Sequence, residues 1–97
     1  MDGPIYNAFG NPLGFYNGDI IYGLDGHAVA QLRGTHVYTM GGHYVAELDD
    51  DMVLDKNLSL GSIGARGAGS RGARGMGSRG ARGTSYPDAS IKIFGKQ

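Results

Sequence analysis

The sequence lacks cysteine entirely and contains only three prolines among its 97 residues. Without cysteine, the chain cannot form disulfides, thiolate metal sites or a cysteine nucleophile. No apolar run approaches the roughly 18 to 20 residues that span a bilayer, and the opening segment MDGPIYNAFG lacks the basic and apolar regions of a signal peptide. We therefore expect a soluble, cytoplasmic chain with no membrane contact, short enough to form one domain.

Glycine is abundant, with 19 residues, nearly three times the average usage of roughly 7%. Because glycine is a poor helix former, this composition disfavours long helices almost everywhere in the chain. Turns and strands are the expected alternative.

Charge is divided unevenly although the formal net charge is zero. Residues 1–60 carry eight acidic and two basic residues, a net charge of −6, whereas residues 61–97 carry seven basic and one acidic residue, a net charge of +6. An acidic body with a basic tail indicates either docking of the tail on the body or an anionic partner for the tail.

The body is built from a 16-residue repeat. IYGLDGHAVAQLRG at 21–34 aligns with VYTMGGHYVAELDD at 37–50, an earlier copy begins at Ile5, and a degraded copy begins at Val53. Four copies thus occupy roughly residues 5–68. This pattern predicts a β-hairpin repeat domain over residues 1–60.

Turn residues recur every eight positions within the repeats. Glycine stands at 10, 18, 26, 34 and 42, and Asp50 is sixth in the series. Subtracting two turn residues from eight leaves strands of about six residues. The sequence therefore predicts an all-β fold, an antiparallel meander of four hairpins with two strands each.

The dipeptides Asn17-Gly18, Asp25-Gly26 and Gly41-Gly42 tolerate positive φ and predict two-residue type I′ turns. In that register Ile21 lies opposite Ala30, and Tyr22 lies opposite Val29.

Both faces of the predicted hairpins are substantially apolar. A sheet with one solvated face should alternate cleanly between apolar and polar residues, so this pattern predicts cover on both faces by a second sheet, the tail or another subunit. A body of about 60 residues buries only about 60% of its surface alone. A homo-oligomer is therefore expected, and a protein partner is compatible with the same pattern.

The tail over residues 61–83 reads GSIGARGAGSRGARGMGSRGARG. Glycine at mostly every third position places like residues on one edge of an extended, polyproline II-like chain, and glycine suits close backbone approach. Three interpretations remain open: a solvated linker, a tail docked on its own or a neighbouring body, and a segment that contacts RNA or DNA phosphates. The candidate contacts to an anionic partner are Arg66, Arg71, Arg74, Arg79 and Arg82.

The C-terminal segment, residues 84–97, follows the tail. Its stretch SIKIF at 90–94 alternates weakly between apolar and polar residues, which is compatible with a last edge strand.

Two histidines follow turn glycines at equivalent repeat positions, His27 and His43. A metal site would need further ligands from His36 or from residues 49–51, and the spacing matches no known motif, so we favour turn-flanking histidines and predict no metal. No serine, histidine and carboxylate pattern indicates catalysis, and we expect neither an enzyme nor a cofactor.

Tyr6, Tyr22 and Tyr38 recur every 16 residues. They are compatible with an exposed aromatic ladder that binds sugar or peptide, but their apolar neighbours favour a ladder within the core.

The units IYGLDGHAVAQL and VYTMGGHYVAEL resemble those of the bacterial four-fold beta flower proteins. The resemblance covers roughly residues 5–83. It implies four hairpin units followed by a basic tail with a three-residue period, and it implies no biochemical activity because the family is uncharacterised.

Two functions follow from the sequence. The first is a non-enzymatic β-repeat module with a structural or interaction role through self-association. The alternative is a nucleic-acid-binding protein that uses its Arg-Gly tail.

Overall fold

The computed structural model describes residues 2–56, 58, 60–67, 69–72 and 77–95. Residues 2–54 contain one antiparallel sheet in which seven strands follow chain order. The all-β meander is therefore confirmed, with seven strands instead of eight in the described part of the chain. The strands are β1 Asp2–Tyr6, β2 Pro12–Asn17, β3 Ile20–Gly23, β4 Ala28–Arg33, β5 His36–Thr39, β6 Tyr44–Asp49 and β7 Met52–Leu54.

Two-residue loops join the strands at one end of the sheet. Asn17 pairs with Ile20, so the first of these loops consists of residues 18–19. The prediction of a type I′ turn at Asn17-Gly18 is wrong, because the loop lies one residue later and only its first residue, Gly18, has a positive φ. That sign pattern is the one a type II′ turn has. Asp50, with φ 58°, takes the same place in the third such loop.

Three-residue loops join the strands at the opposite end, at residues 8–10, 24–26 and 40–42. In the second loop, Gly26 N–H donates to the Gly23 carbonyl and Gly23 N–H donates to the His27 carbonyl, both at 2.9 Å. The other two loops repeat these hydrogen bonds. Such a loop is a type I turn followed by a left-handed glycine, here Gly26 with φ 88°.

The type I′ turns predicted at Asp25-Gly26 and Gly41-Gly42 are therefore wrong as well. The pairing shifts between Ile21 and Tyr22, so that Tyr22 lies opposite Ala28 instead of Val29, whereas Ile21 lies opposite Ala30 as predicted.

The sheet curves into a nearly closed barrel. The Asp19 carbonyl accepts the Leu32 N–H at 2.8 Å, and the equivalent Thr35 carbonyl accepts the Leu48 N–H at 2.7 Å. The third equivalent carbonyl, Asp51, accepts the N–H of Tyr6 at 2.7 Å. The first two contacts extend the β3–β4 and β5–β6 pairing by one residue pair, whereas the third joins the start of β7 to the end of β1.

The C-terminal segment covers the free edge of β7. The Ala89 N–H donates to the Val53 carbonyl at 2.9 Å, and the Asp55 N–H donates to the Pro87 carbonyl at 2.8 Å. The prediction of an edge strand at 90–94 is wrong: strand pairing occurs at Asp88, and the following residues form one helical turn, α1.

The turn α1 spans Ile91–Phe94. It ends at Gly95, whose φ of 73° is the left-handed conformation that commonly terminates a helix.

The main core lies inside the barrel. The aligned first residue of each repeat copy, namely Ile5, Ile21, Val37 and Val53, is fully buried. The side chains of Ile93 and Phe94 pack against this cluster. The helical turn therefore completes the core that the repeats begin.

A second, smaller cluster lies on the other face of the sheet and contains Phe15, Ile20 and Tyr22. Arg71 of the tail lies over the Tyr22 ring, at 5.6 Å from its centroid. The cover predicted for both faces is thus supplied, at this cluster, by the tail of the same chain.

Candidate interaction surface: the tail-binding loops

The tail crosses the three-residue loops, which we call the tail-binding loops (residues 8–10, 24–26 and 40–42). Three tail N–H groups, spaced eight residues apart, donate to three loop carbonyls spaced sixteen residues apart. The pairs are Ile63 with Gly42 at 2.8 Å, Arg71 with Gly26 at 2.7 Å and Arg79 with Gly10 at 2.8 Å. Each eight-residue unit of the tail therefore lies on one hairpin, and the tail runs opposite to the order of the hairpins.

A second set of hydrogen bonds follows three residues later in the tail. The Arg66 N–H donates to the Met40 carbonyl at 2.8 Å, and the Arg82 N–H donates to the Ala8 carbonyl at 2.9 Å. The three-residue interval is what an extended chain with one edge on the body requires. Arg74, the equivalent residue of the middle unit, lies outside the described residues.

Close backbone approach depends on glycines of the body. A Cβ atom on Gly26 would overlap the carbonyl oxygen of Arg71, and Gly10 and Gly42 meet the tail in the same way. By contrast, a Cβ on Gly72 of the tail would meet no heavy atom within 4 Å. The expectation that the tail glycines allow the approach is therefore corrected, because the loop glycines do so.

The third unit of the tail reaches an acidic turn. Arg79 donates from Nε and Nη2 to the two carboxylate oxygens of Asp51, at 2.8 and 2.9 Å, and lies 4.8 Å from the centroid of the Tyr6 ring. Arg82 Nη1 donates to Asp50 and to Asp51, each at 3.2 Å. The two hydrogen bonds from Arg79 to Asp51 fix that guanidinium more firmly than a single hydrogen bond does.

The earlier units use single contacts. Arg66 forms an ion pair with Asp19, which lowers the pKa of that carboxyl below its usual value. Arg71 Nε donates to the Tyr22 hydroxyl at 3.2 Å. The four described candidate arginines thus contact the protein's own body, three of them through carboxylates.

Gln31 is a contact that sequence reasoning missed. The side chain is buried, and its Nε2 donates to the carbonyls of Thr39 at 3.2 Å and of Gly64, in the tail, at 3.0 Å. The available signal was its alignment with Glu47, since both are polar residues between apolar ones at one repeat position.

Glu47 is buried and accepts three side-chain hydrogen bonds. Its partners are the Thr35 hydroxyl at 2.9 Å, His36 Nδ1 at 2.7 Å and the Tyr44 hydroxyl at 2.9 Å. Burial alone raises the pKa of this carboxyl, but the hydrogen bonds outweigh it and hold the pKa below the usual value. Burial and the carboxylate together raise the pKa of Tyr44. We interpret this satisfied cluster as structural.

We expect the free energy of unfolding to fall as the pH is lowered, because of this cluster. The pKa of Glu47 in the folded state lies below its usual 4.5. Its contribution to the free energy of unfolding is therefore complete above the pKa of the unfolded state and is lost as the pH falls through the pKa of the folded state. Urea midpoints measured between pH 7 and pH 3 check this, with Glu47→Gln as the matched variant of equal shape. An unchanged acid slope in Glu47→Gln would contradict it.

The histidines lie near loops, as the favoured interpretation expected. His27 Nδ1 lies 2.9 Å from an Asp25 carboxylate oxygen, at an exposed position, and the Asp25 pKa is lowered by this hydrogen bond. In the part of the chain that the structure describes, no group of three or more potential ligands gathers around a metal position. No helix there is long and apolar enough to cross a membrane.

The tyrosine ladder is largely buried. Tyr22 and Tyr38 are buried, and Tyr6 is half-buried below Arg79. The preference for a core ladder over an exposed binding ladder is thus confirmed at Tyr22 and Tyr38.

These features define a β-repeat module. Its repeated hairpins form a nearly closed antiparallel barrel, and an extended tail crosses the tail-binding loops. The family model described as 4-fold beta flower protein matches residues 3–90, and the chain belongs to this family. The resemblance noted in the repeats is thereby confirmed. Comparisons with curated proteins and with solved structures found no match.

Proposed function

We propose that this chain is a non-enzymatic interaction module that acts by self-association, while its tail forms part of its own fold. The observation that carries the proposal is a set of exposed apolar side chains around the barrel closure, which we call the closure patch. Its members are Phe9, Leu58, Tyr86 and Ile91, exposed to 72%, 43%, 45% and 56%. Clustered exposure of this kind is typical of interaction surfaces.

Two contacts of neighbouring residues link parts of the patch. The Ala8 N–H donates to Asp88 at 2.9 Å, which places Phe9 beside the C-terminal segment. Lys56 Nζ lies 5.1 Å from the centroid of the Tyr86 ring, and Leu58 follows two residues later.

A second copy of the chain is the occupant that this surface favours. Lys92 and Asp55 form an ion pair at 2.9 Å beside the patch, so both charge signs are present at its border. In a two-fold dimer, Lys92 of one copy can face Asp55 of the other copy, and the reverse pair forms at the same time. An apolar centre with a polar border is also the usual composition of an interface.

Nucleic-acid binding remains the alternative, and the tail arginines argue against it. Arg66, Arg79 and Arg82 already contact carboxylates of the body. With a formal net charge of zero, the molecule has no net field that attracts phosphate.

Native mass spectrometry at micromolar concentration tests the proposal. We expect a multiple of the 10.2 kDa chain mass, and we expect Phe9→Ser combined with Ile91→Ser to shift the protein toward the monomer. Leu60→Ser is the control for loss of an exposed apolar side chain, because Leu60 is also exposed but is not a member of the closure patch. A wild-type chain that stays monomeric would overturn the proposal. A gel shift that showed salt-sensitive, sub-micromolar RNA or DNA binding by such a monomer would favour the alternative.

A further inference from the structure

The tail-binding loops present the same chemistry three times. Each loop offers the carbonyl of its last glycine to an N–H at the same position of an eight-residue unit, at 2.7 to 2.8 Å. Two of these units, GSRGARGM and GSRGARGT, differ only in their last residue. Such a surface recognises a repeated Arg-Gly segment by its backbone and its arginines, whichever chain supplies that segment.

We propose that the tail-binding loops also bind the tail of a second copy, so that two chains exchange tails. This inference rests on the proposed self-association and supplies a mechanism for it. Exchange replaces each contact within a chain by an identical contact between chains, which makes it a low-cost route to a dimer.

Charge complementarity favours the tail of a second copy as the occupant. The body carries −6 and the segment from residue 61 carries +6, so two exchanged chains neutralise each other as each chain neutralises itself. Arg79 and Asp51 form the most specific of these contacts, because two guanidinium nitrogens meet two carboxylate oxygens.

The segment between body and tail is long enough for the exchange. Lys56 still contacts the body through Asp49 and the Tyr86 ring, and seven residues carry the chain from there to Ile63, whose N–H is docked on a loop. Seven extended residues span about 23 to 25 Å, which matches the shortest dimension of the molecule, 23 Å. Leu58 and Leu60 within this segment are exposed.

A complementary charge swap tests the exchange with full-length chains. One variant carries Asp51→Arg, the other carries Arg79→Asp, and in each the tail and body of the same chain repel at this contact. When the two are unfolded in urea and refolded together, exchanged tails pair Arg with Asp at both sites. The double variant Asp51→Arg/Arg79→Asp is the matched control, since it restores the pair within one chain.

We expect native mass spectrometry of the mixture to show a two-chain species that contains one copy of each variant, in excess of the statistical share. We also expect the mixture to unfold at a higher urea midpoint than either variant alone. A variant that does not fold alone leaves the test intact, because rescue on mixing is then the readout.

Two results separate this inference from the proposed function. If the wild type self-associates but the mixture shows no mixed species and no rescue, tail exchange is overturned and self-association stands. If the mixed species forms and the variant with Phe9→Ser and Ile91→Ser stays associated like the wild type, tail exchange is supported and association through the closure patch is overturned.

Discussion

Replacing Gly26 with valine is expected to lower the free energy of unfolding by about 3 kcal/mol or more. Two effects combine at this position. Gly26 has a φ of 88°, which β-branched residues resist, and a Cβ there would overlap the carbonyl oxygen of Arg71. The substitution therefore strains the loop and also displaces the middle of the tail.

Gly18→Val is the matched control, because Gly18 has a φ of 63° but no heavy atom within 4 Å of its Cβ position. Only the backbone strain applies there, and we expect a loss of about 1 to 2 kcal/mol. Urea unfolding curves of both variants and the wild type provide the comparison. Equal losses at the two glycines would show that the tail does not pack on the loop.

Truncation after residue 60 is expected to abolish the cooperative unfolding transition. The removed part includes Ala89 and Ser90, which are buried, and Ile93 and Phe94, which pack on the main core. It also uncovers the edge of β7 that pairs with Asp88. A body of about 60 residues has little apolar burial to spare. Thermal unfolding followed by circular dichroism measures the effect.

Replacing the tail arginines with glutamine separates charge from packing. The backbone hydrogen bonds and the C-terminal segment remain, so we expect a smaller drop in the melting temperature and a transition that stays cooperative. Exposed ion pairs contribute little each, and added salt should partly reproduce the effect in the wild type. The five substitutions are made at Arg66, Arg71, Arg74, Arg79 and Arg82.

For the truncation, a shortened chain that unfolds like the wild type would contradict the structural role of the tail.

The eight-residue spacing of turn residues predicted the positions of the loops but not their types. Positive φ occurs at every member of the series, including Asp50. Alternate members serve different loops, however: Gly18 opens a two-residue loop, whereas Gly26 closes a three-residue one. Because both kinds place glycine at the same interval, the interval could not distinguish them, and the pairing of Tyr22 was predicted one residue too far along.

The charge division left two alternatives for the tail, docking on the body or an anionic partner, and the ion pair of Arg79 with Asp51 agrees with docking on the chain's own body. The sequence could not predict which tail N–H groups bond to which loops, since this depends on which loop carbonyls point outward in the folded barrel. The same limit applies to α1. A five-residue alternation cannot separate a short strand from one helical turn, and pairing at Asp88 had already covered the edge.

Amide hydrogen exchange of the tail tests the docking of one eight-residue unit on each hairpin most directly. The N–H groups of Ile63, Arg66, Arg71, Arg79 and Arg82 donate to loop carbonyls. If the tail is docked as described, these five amides exchange at least tenfold more slowly than the tail amides between them, a difference of about 1.4 kcal/mol in opening free energy. Uniform exchange along residues 61–83 at the rate of an unfolded chain would contradict it.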